Sequence, residues 1–398
     1  MNIPQQVSGR QITRRGVHLA PIGFHDTFLD SADYWLNLLL DMHISWVVAL
    51  SESTALYDSG LADLLLRNGI IPIARFAYEL PKPWVEMDSI EQLSNLYARY
   101  GAPLIVQFAN EPFDDREWSG GHVPPEDEAW GIIARRWNEA AKIITERGAY
   151  AGFPDGPCYK DNPFEKTQVA DWVWHEDKAV YLTHNYGKNR PVRCPYDDVS
   201  QKGIHITREE YEAALDDYAD DPNWNELILN PALLNKINAQ REEWAQPGKT
   251  AIDDDVCFLG YEKTQHFSRA HFGFDVPMML TEGGWVPRDR AGSNPIDIRW
   301  PYTTPKMVAK KTLAMYELDT PFLAICPWLL ACGLLGGSGW EFDAWVTTAY
   351  FDKYGTELPV VQTLKDNPPH PTLDLDAAIR ELELASEGGE RMLDSLGV

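Results

Sequence analysis

The chain has 398 residues, a net charge of −25 and a pI near 4.7. No basic patch interrupts this acidity, so nucleic acid is not an expected partner. No run of about 18 apolar residues occurs, so no helix is expected to cross a membrane. Hydrophobic residues make up 44% of the chain, enough for a full globular core. The five cysteines are scattered and form no CxxC pair. Neither a disulfide framework nor a zinc cluster is predicted, and no metal or other cofactor is expected. The first residues, MNIPQQVSGRQITRRG, lack the apolar core of a secretory signal. The expected location is cytoplasmic, or secreted with the signal absent from this chain. The 15 Trp and 17 Tyr suit sugar-ring recognition, although Trp also fills large cores.

In chain order, residues 1–15 read as a polar lead-in. GVHLAPIGF (16–24) is a first strand with its exit loop, and YWLNLLLDM (34–42) has helical spacing. ISWVVAL (44–50) is a second strand, rich in β-branched and aromatic residues. Residues 54–67 read as a helix with Leu61, Leu64 and Leu65 on one face. GIIPIARF (69–76) is a third strand. Asp88 is the expected cap of the following helix, which Gly101 closes. PLIVQFANEP (103–112) is a fourth strand. A long amphipathic helix over 126–147 repeats Trp130, Ile133, Trp137, Ala141 and Ile144 at spacings of three and four. GAYAGFPD (148–155) and AVYLTHNY (179–186) are the fifth and sixth strands. Helical patterns follow over 208–218, 225–244 and 260–271. VPMMLTEGGW (276–285) contains the seventh strand, residues 304–318 a helix, and PFLAICPW (321–328) the eighth strand. After Gly355 the chain turns proline-rich, and an acidic helix is expected over 377–396.

Strand and helix thus alternate eight times, which predicts an α/β fold: a parallel (β/α)8 TIM barrel with a helical insertion between strands six and seven. No GxGxxG follows the first strand, which disfavours a dinucleotide fold. The expected division is a catalytic barrel over 1–356, with 188–257 as a lid or cap, and a proline-rich segment with a C-terminal acidic helix over 357–398.

Two strands end in the same way. The apolar run Leu104-Ile105-Val106 leads to Asn110, Glu111 and Pro112, and Pro277-Met278-Met279-Leu280 leads to Thr281, Glu282 and two glycines. Barrel chemistry sits at the C-terminal strand ends. Two carboxyl groups delivered there are what glycoside hydrolysis needs, one to give a proton and one to attack or stabilise the anomeric carbon. Asn110 is placed to donate to a sugar 2-hydroxyl. Gly283 and Gly284 are placed to let a ligand approach the backbone. Glu79, Asp155 and Asp26 also lie near strand ends and are reserve candidates. His18 and His25 lack the His-x-His spacing of metal-dependent barrel hydrolases. No strand end offers the lysine of a Schiff-base aldolase.

On these residues the chain resembles the clan A glycoside hydrolases, the (β/α)8 superfamily of retaining β-glycosidases. The resemblance covers roughly residues 16 to 335, by order of motifs. It implies Glu111, after Asn110, as acid/base and Glu282, in LTEGGW, as nucleophile. The expected substrate-binding residues are Asn110, Arg75, His184, Tyr186, Trp285 and Trp328, of which the family pattern matches Asn110, His184, Tyr186 and Trp328. His184 or Tyr186 would steer the nucleophile, and Trp328 would lie beneath the sugar. The sequence departs from the pattern at strand two. Many members carry an Arg there and a His on strand three, whereas here strand two ends in Ser51-Glu52 and Arg75 lies on strand three. The implied activity is double-displacement cleavage of a β-linked glucan, xylan or mannan-type carbohydrate. The alternatives are a phage-type hydrolase of peptidoglycan or another cell-wall glycan, and a barrel that binds carbohydrate without cleaving it.

Overall fold

Eight parallel strands are laid down in chain order, each hydrogen-bonded to the next. They are β1 (Gly16–His18), β2 (Trp46–Ser51), β3 (Ile71–Phe76), β4 (Ile105–Gln107), β5 (Tyr150–Pro154), β6 (Ala179–Tyr186), β7 (Met278–Gly284) and β8 (Phe322–Ile325). The computed structural model describes residues 1, 3–19, 28–51, 55–76, 78–82, 87–154, 161–216, 231–254, 256–287, 297–301, 303–331, 344–346 and 357–369. The first and last strands meet: Ile325 N donates to Arg14 O at 2.8 Å, and His18 N donates to Pro327 O at 3.0 Å. The sheet therefore closes on itself, and the fold is a (β/α)8 barrel. The strands read as apolar runs rather than alternating patterns because both of their faces are covered. Every residue of β3 and of β7 is buried.

The helices are α1 (Ala32–Asp41), α2 (Leu61–Arg67), α3 (Met87–Tyr100), α4 (Glu126–Glu146), α5 (Arg208–Leu215), α6 (Pro231–Glu243), α7 (Tyr261–Phe272), α8 (Pro305–Glu317) and α9 (Pro359–Asp366), with shorter turns between them. Helix α4 buries the apolar stripe read from the sequence. Its Trp137 ring sits 5.8 Å from that of Phe108 and 5.0 Å from that of Phe153. This wedge stiffens the ends of β4 and β5, just below Asn110 and Glu111.

Several elements differ from the sequence expectation. The lead-in holds a two-strand hairpin, Gln6–Val7 with Arg10–Gln11, turned at Ser8-Gly9 with both residues at positive φ. Arg10 Nη1 donates to Ile44 O at 2.6 Å and to Gly69 O at 3.2 Å, so the hairpin caps the N-terminal end of the barrel. The single helix expected over 54–67 is interrupted: a turn over Ala55–Asp58 is separated from α2 by Ser59 and by Gly60, whose φ is 78°. Helix α3 starts at Met87, so Asp88 lies inside its first turn rather than capping it. A carboxylate is still favourable there, next to the positive end of the helix dipole. Within the proline-rich stretch, Pro359 opens α9, which buries Val360, Val361 and Leu364. Asp26, Glu52, Asp155 and the helix expected over 377–396 lie outside the described residues. Among the described residues, no helix is long and apolar enough to cross a membrane.

The segment after β6 is bolted to the loop after β7. Arg190 pairs with Asp254 at 2.8 Å and with Asp297 at 3.1 Å. Arg299 takes Asp297 by two nitrogens, at 3.1 and 2.8 Å, and stacks on the rings of Trp244 and Trp300. Arg241 Nε donates to Arg299 O at 2.7 Å. Asp254, Arg241 and Arg299 are all buried. A buried charge is costly unless paired or hydrogen-bonded: Asp254 and Arg299 are in ion pairs, and Arg241 donates to the carbonyls of Arg299 and Ile204.

Candidate active site

Glu282 reaches its place through a bulge. Thr183 of β6 is opposite Leu280 of β7, but the next residue, His184, is opposite Glu282. Thr281 is the extra residue, and it re-aims everything after it. Without the bulge, the period-two alternation of the strand would set a different residue opposite His184. The backbone then turns at Gly283, whose φ is 137°. A Cβ on Gly283 would lie 2.2 Å from Asn185 O. The glycine is therefore needed for contact between β6 and β7. The strand contact is itself sufficient reason for a glycine at 283. The Trp328–Leu329 peptide bond, just beyond β8, is cis.

Around Glu282 the barrel gathers five other strand ends. Arg75 of β3 contacts Oε1 through Nη1. Tyr186 of β6 donates its hydroxyl to Oε2 at 3.0 Å. His184 of β6 places Nδ1 at 3.0 Å from Glu111 Oε1 and 3.7 Å from Glu282 Oε2. His18 of β1 sits with Nε2 3.2 Å from Arg75 Nη1. The Trp328 ring lies 4.6 Å from that of His18. Glu111, just beyond β4, completes the group. One ligand-type atom from each of Glu111, His184 and Glu282 lies within 4.8 Å of the other two.

The two glutamates sit in different surroundings. The Glu282 side chain is 8% exposed and that of Glu111 15%. Burial alone would raise the Glu282 carboxyl, but His184, Arg75 and His18 outweigh it and hold its pKa at about 2. Burial lowers the His184 imidazole, yet the charges of Glu282 and Glu111 raise it above its ordinary value. His18 is driven down to about 3, first by burial and then by Arg75. Burial and the Glu282 charge hold the Tyr186 phenol well above its ordinary range, so it stays a donor. The chemistry available is thus an ionised, oriented carboxylate facing a second carboxyl that is more open to solvent. The same three residues could ligate a metal ion, but one oxygen of Glu282 already faces a guanidinium. That positive charge repels a cation.

The structure brings Arg75, Glu111, His184, Tyr186 and Glu282 into one cluster, with Trp328 beside it. The strand count that set Arg75 on strand three is the observed one. Asn110 adjoins Glu111, and its Nδ2 donates to Glu117 Oε1 at 2.8 Å. Trp285 is not brought in. It is 1% exposed, packs on Phe258 at 5.4 Å, and donates its indole N–H to Arg190 O at 2.8 Å. A ring buried on this scale offers no face to a sugar. Glu79 pairs with Lys82 at the surface, apart from the cluster. Sequence reasoning missed His18 and Glu117. His18 carries a readable signal, a polar residue at the end of a buried strand. Glu117 lies in a loop with none. Arg116, beside it, takes Asp114 by two nitrogens and sets Nη2 3.8 Å from Glu111 Oε2.

No family model matches the sequence, and no curated protein matches it. Solved structures do. In structure the chain is similar to glycoside hydrolases. A β-glucuronidase from Bacteroides uniformis, covalently bound to a cyclophellitol-6-carboxylate aziridine, aligns over 90% of this chain with 12% identity and a TM-score of 0.47. The chain spans only 35% of that protein's length. A β-glucanase from Saccharophagus degradans, in complex with cellotetraose, aligns over 91% of both chains with 10% identity and a TM-score of 0.43. A glycoside hydrolase family 5 enzyme from Prevotella bryantii aligns over 88% of this chain and 94% of its own, with 8% identity and a TM-score of 0.40.

Proposed function

We propose that the protein is a retaining β-glycoside hydrolase. The observation that carries this reading is the separation of its two carboxylates. One oxygen of Glu111 and one of Glu282 lie within 4.8 Å of each other, brought together from the ends of β4 and β7. Retaining glycosidases hold the pair about 5–5.5 Å apart, and inverting ones about 6.5–9.5 Å, which leaves room for a water. Glu282, held ionised by Arg75 and oriented by Tyr186, attacks the anomeric carbon. Glu111 protonates the departing glycosidic oxygen. The bond to the leaving group breaks as the Glu282 ester forms. Glu111, now ionised, takes a proton from water, and that water releases the sugar and restores Glu282. His184, between the two, keeps both carboxylates in register. No step requires a metal or an organic cofactor. The substrate class is a β-linked glucan, xylan or mannan.

The test is hydrolysis of a panel of aryl β-glycosides, β-glucans and cell-wall glycans by wild type, Glu282→Ala and Glu111→Ala. Wild type turns over at least one member. Glu282→Ala is inactive, and azide restores turnover with an α-glycosyl azide as product. A wild type inert on every member, or a Glu282→Ala variant of full activity, defeats the reading.

A further inference from the structure

The Asn110 amide is held by a third carboxylate. Its Nδ2 donates to Glu117 Oε1 at 2.8 Å. An ionised carboxylate only accepts, so this contact orients the amide with Nδ2 on Glu117 and the carbonyl turned away. That carbonyl oxygen, Oδ1, is buried and has no hydrogen-bond partner among the described residues. A buried acceptor left without a donor is costly, so such an atom points to a missing donor. Glu117 itself is fixed from several sides. Leu80 N donates to its backbone oxygen at 2.8 Å, and Ser119 N donates to Leu80 O at 2.7 Å. The neighbouring Trp118 donates its indole N–H to Pro112 O at 2.9 Å. Burial pushes the Glu117 carboxyl up, and the Asn110 amide and the charge of Arg75 oppose that push. Glu111 acts on it as well, so Glu117 lies within electrostatic reach of both halves of the catalytic cluster.

We propose that Glu117 is a positioning residue that locks the Asn110 amide so that Oδ1 accepts a hydrogen bond from the substrate. This rests on the glycosidase reading and changes one part of it. Asn110 accepts from the sugar where the sequence alone had it donating. The substrate therefore offers this oxygen a donor, a hydroxyl or an amide N–H, and the group tested is the 2-hydroxyl, whose hydrogen bonds strengthen in the glycosidase transition state. Glu117 touches no reacting atom and acts only through Asn110.

The first measurement needs no substrate. The side-chain amide signal of Asn110 is recorded by ¹H–¹⁵N NMR and assigned by its loss in Asn110→Ala. In Glu117→Gln the shape is kept and the charge is lost, so the amide protons move upfield as a charge-assisted bond becomes a neutral one. In Glu117→Ala they move further. Amide protons that stay put in Glu117→Gln overturn the proposal, even if Glu117→Ala fails to fold. The second measurement is kcat/KM on an aryl glycoside that wild type cleaves and on its 2-deoxy counterpart. Glu117→Ala loses about 5- to 150-fold on the first and under about twofold on the second. Added to Asn110→Ala, it costs nothing more, because both changes break one interaction. Equal losses on the two substrates, or additive losses in the double variant, overturn the proposal. The two readings fail separately. A wild type inert on all glycosides defeats the hydrolase reading, while the NMR result still decides the Asn110–Glu117 pair. Turnover that Glu282→Ala abolishes, with an unmoved amide signal, defeats the positioning role alone.

Discussion

Replacing Arg75 with methionine removes the one permanent cation that, among the described residues, contacts Glu282, and keeps a side chain of similar bulk. Both partners are nearly buried, at 9% and 8% side-chain exposure. An arginine in contact lowers a carboxyl pKa by about 1–3 units. The acid limb of kcat/KM, which the wild-type value of about 2 puts below the working range, therefore rises by about 1–3 pH units in the variant. At roughly 1.4 kcal/mol per unit, the ionised Glu282 loses about 1.4–4 kcal/mol of stabilisation at neutral pH. Breaking one side of a buried ion pair independently suggests about 3–5 kcal/mol. The ranges meet near 3–4 kcal/mol, our expectation for the loss in folding stability at pH 7. The sign of its pH dependence follows from the depressed pKa. The contribution is present above the ordinary value of 4.5 and is lost as pH falls toward about 2. The stability gap between wild type and variant thus narrows across that window. Urea unfolding at several pH values and the pH dependence of kcat/KM check both halves. A folded Arg75→Met variant with an unmoved acid limb, or a stability gap that widens in acid, would refute the argument.

Three further outcomes are expected. Glu111→Ala keeps most of its glycosylation rate on an aryl glycoside with a highly acidic leaving group but loses about 100- to 10,000-fold on one with a poor leaving group, which single-turnover kinetics separates. Equal losses on both would remove Glu111 from the acid role. Gly283→Ala loses about 2–6 kcal/mol in urea unfolding, because the new Cβ meets Asn185 O and the backbone φ is unfavourable to any side chain. An unchanged midpoint would contradict the close approach of β6 and β7. Exhaustive dialysis against EDTA leaves turnover unchanged, and a loss restored by a divalent cation would reassign Glu111, His184 and Glu282 as ligands.

The barrel was legible because its strands are buried on both faces and carry uninterrupted apolar runs. The sixth strand matches its expected bounds, Ala179 to Tyr186, residue for residue. The positions of Glu111 and Glu282 at strand ends could be read for the same reason: an apolar run that stops on a carboxylate marks where the core stops. What escaped depends on contacts distant in sequence. Trp285 follows the nucleophile strand as a sugar platform would, and only the fold shows that it fills the space above Gly187, where a Cβ would lie 2.1 Å from its ring. Gly283 signals close approach, but not that the approaching group is the Asn185 backbone. Glu117 stands in a polar loop among Asp114, Asp115 and Arg116, and nothing local separates it from those neighbours. The bulge at Thr281 is invisible in composition, since it concerns the pairing of β7 with β6 alone. The hairpin at the start of the chain is shorter than any periodicity can register, and only Ser8-Gly9 hints at its turn.

The paired arginines between the segment after β6 and the loop after β7 bear on how this chain could be re-engineered. Arg190 and Arg241 project from the insertion, whereas Asp297 and Arg299 answer them from 107 and 58 residues later in the chain. Neither half is a self-sufficient cassette. A graft of residues 188–257 onto another barrel would arrive with Arg190 short of one of its two carboxylates and Arg241 short of the Arg299 carbonyl. Exchange of the later loop alone would leave Arg190 with one of its two carboxylates, Asp254, and without Asp297. Recombination between relatives would be tolerated only at crossover points that carry residues 188–301 as one block.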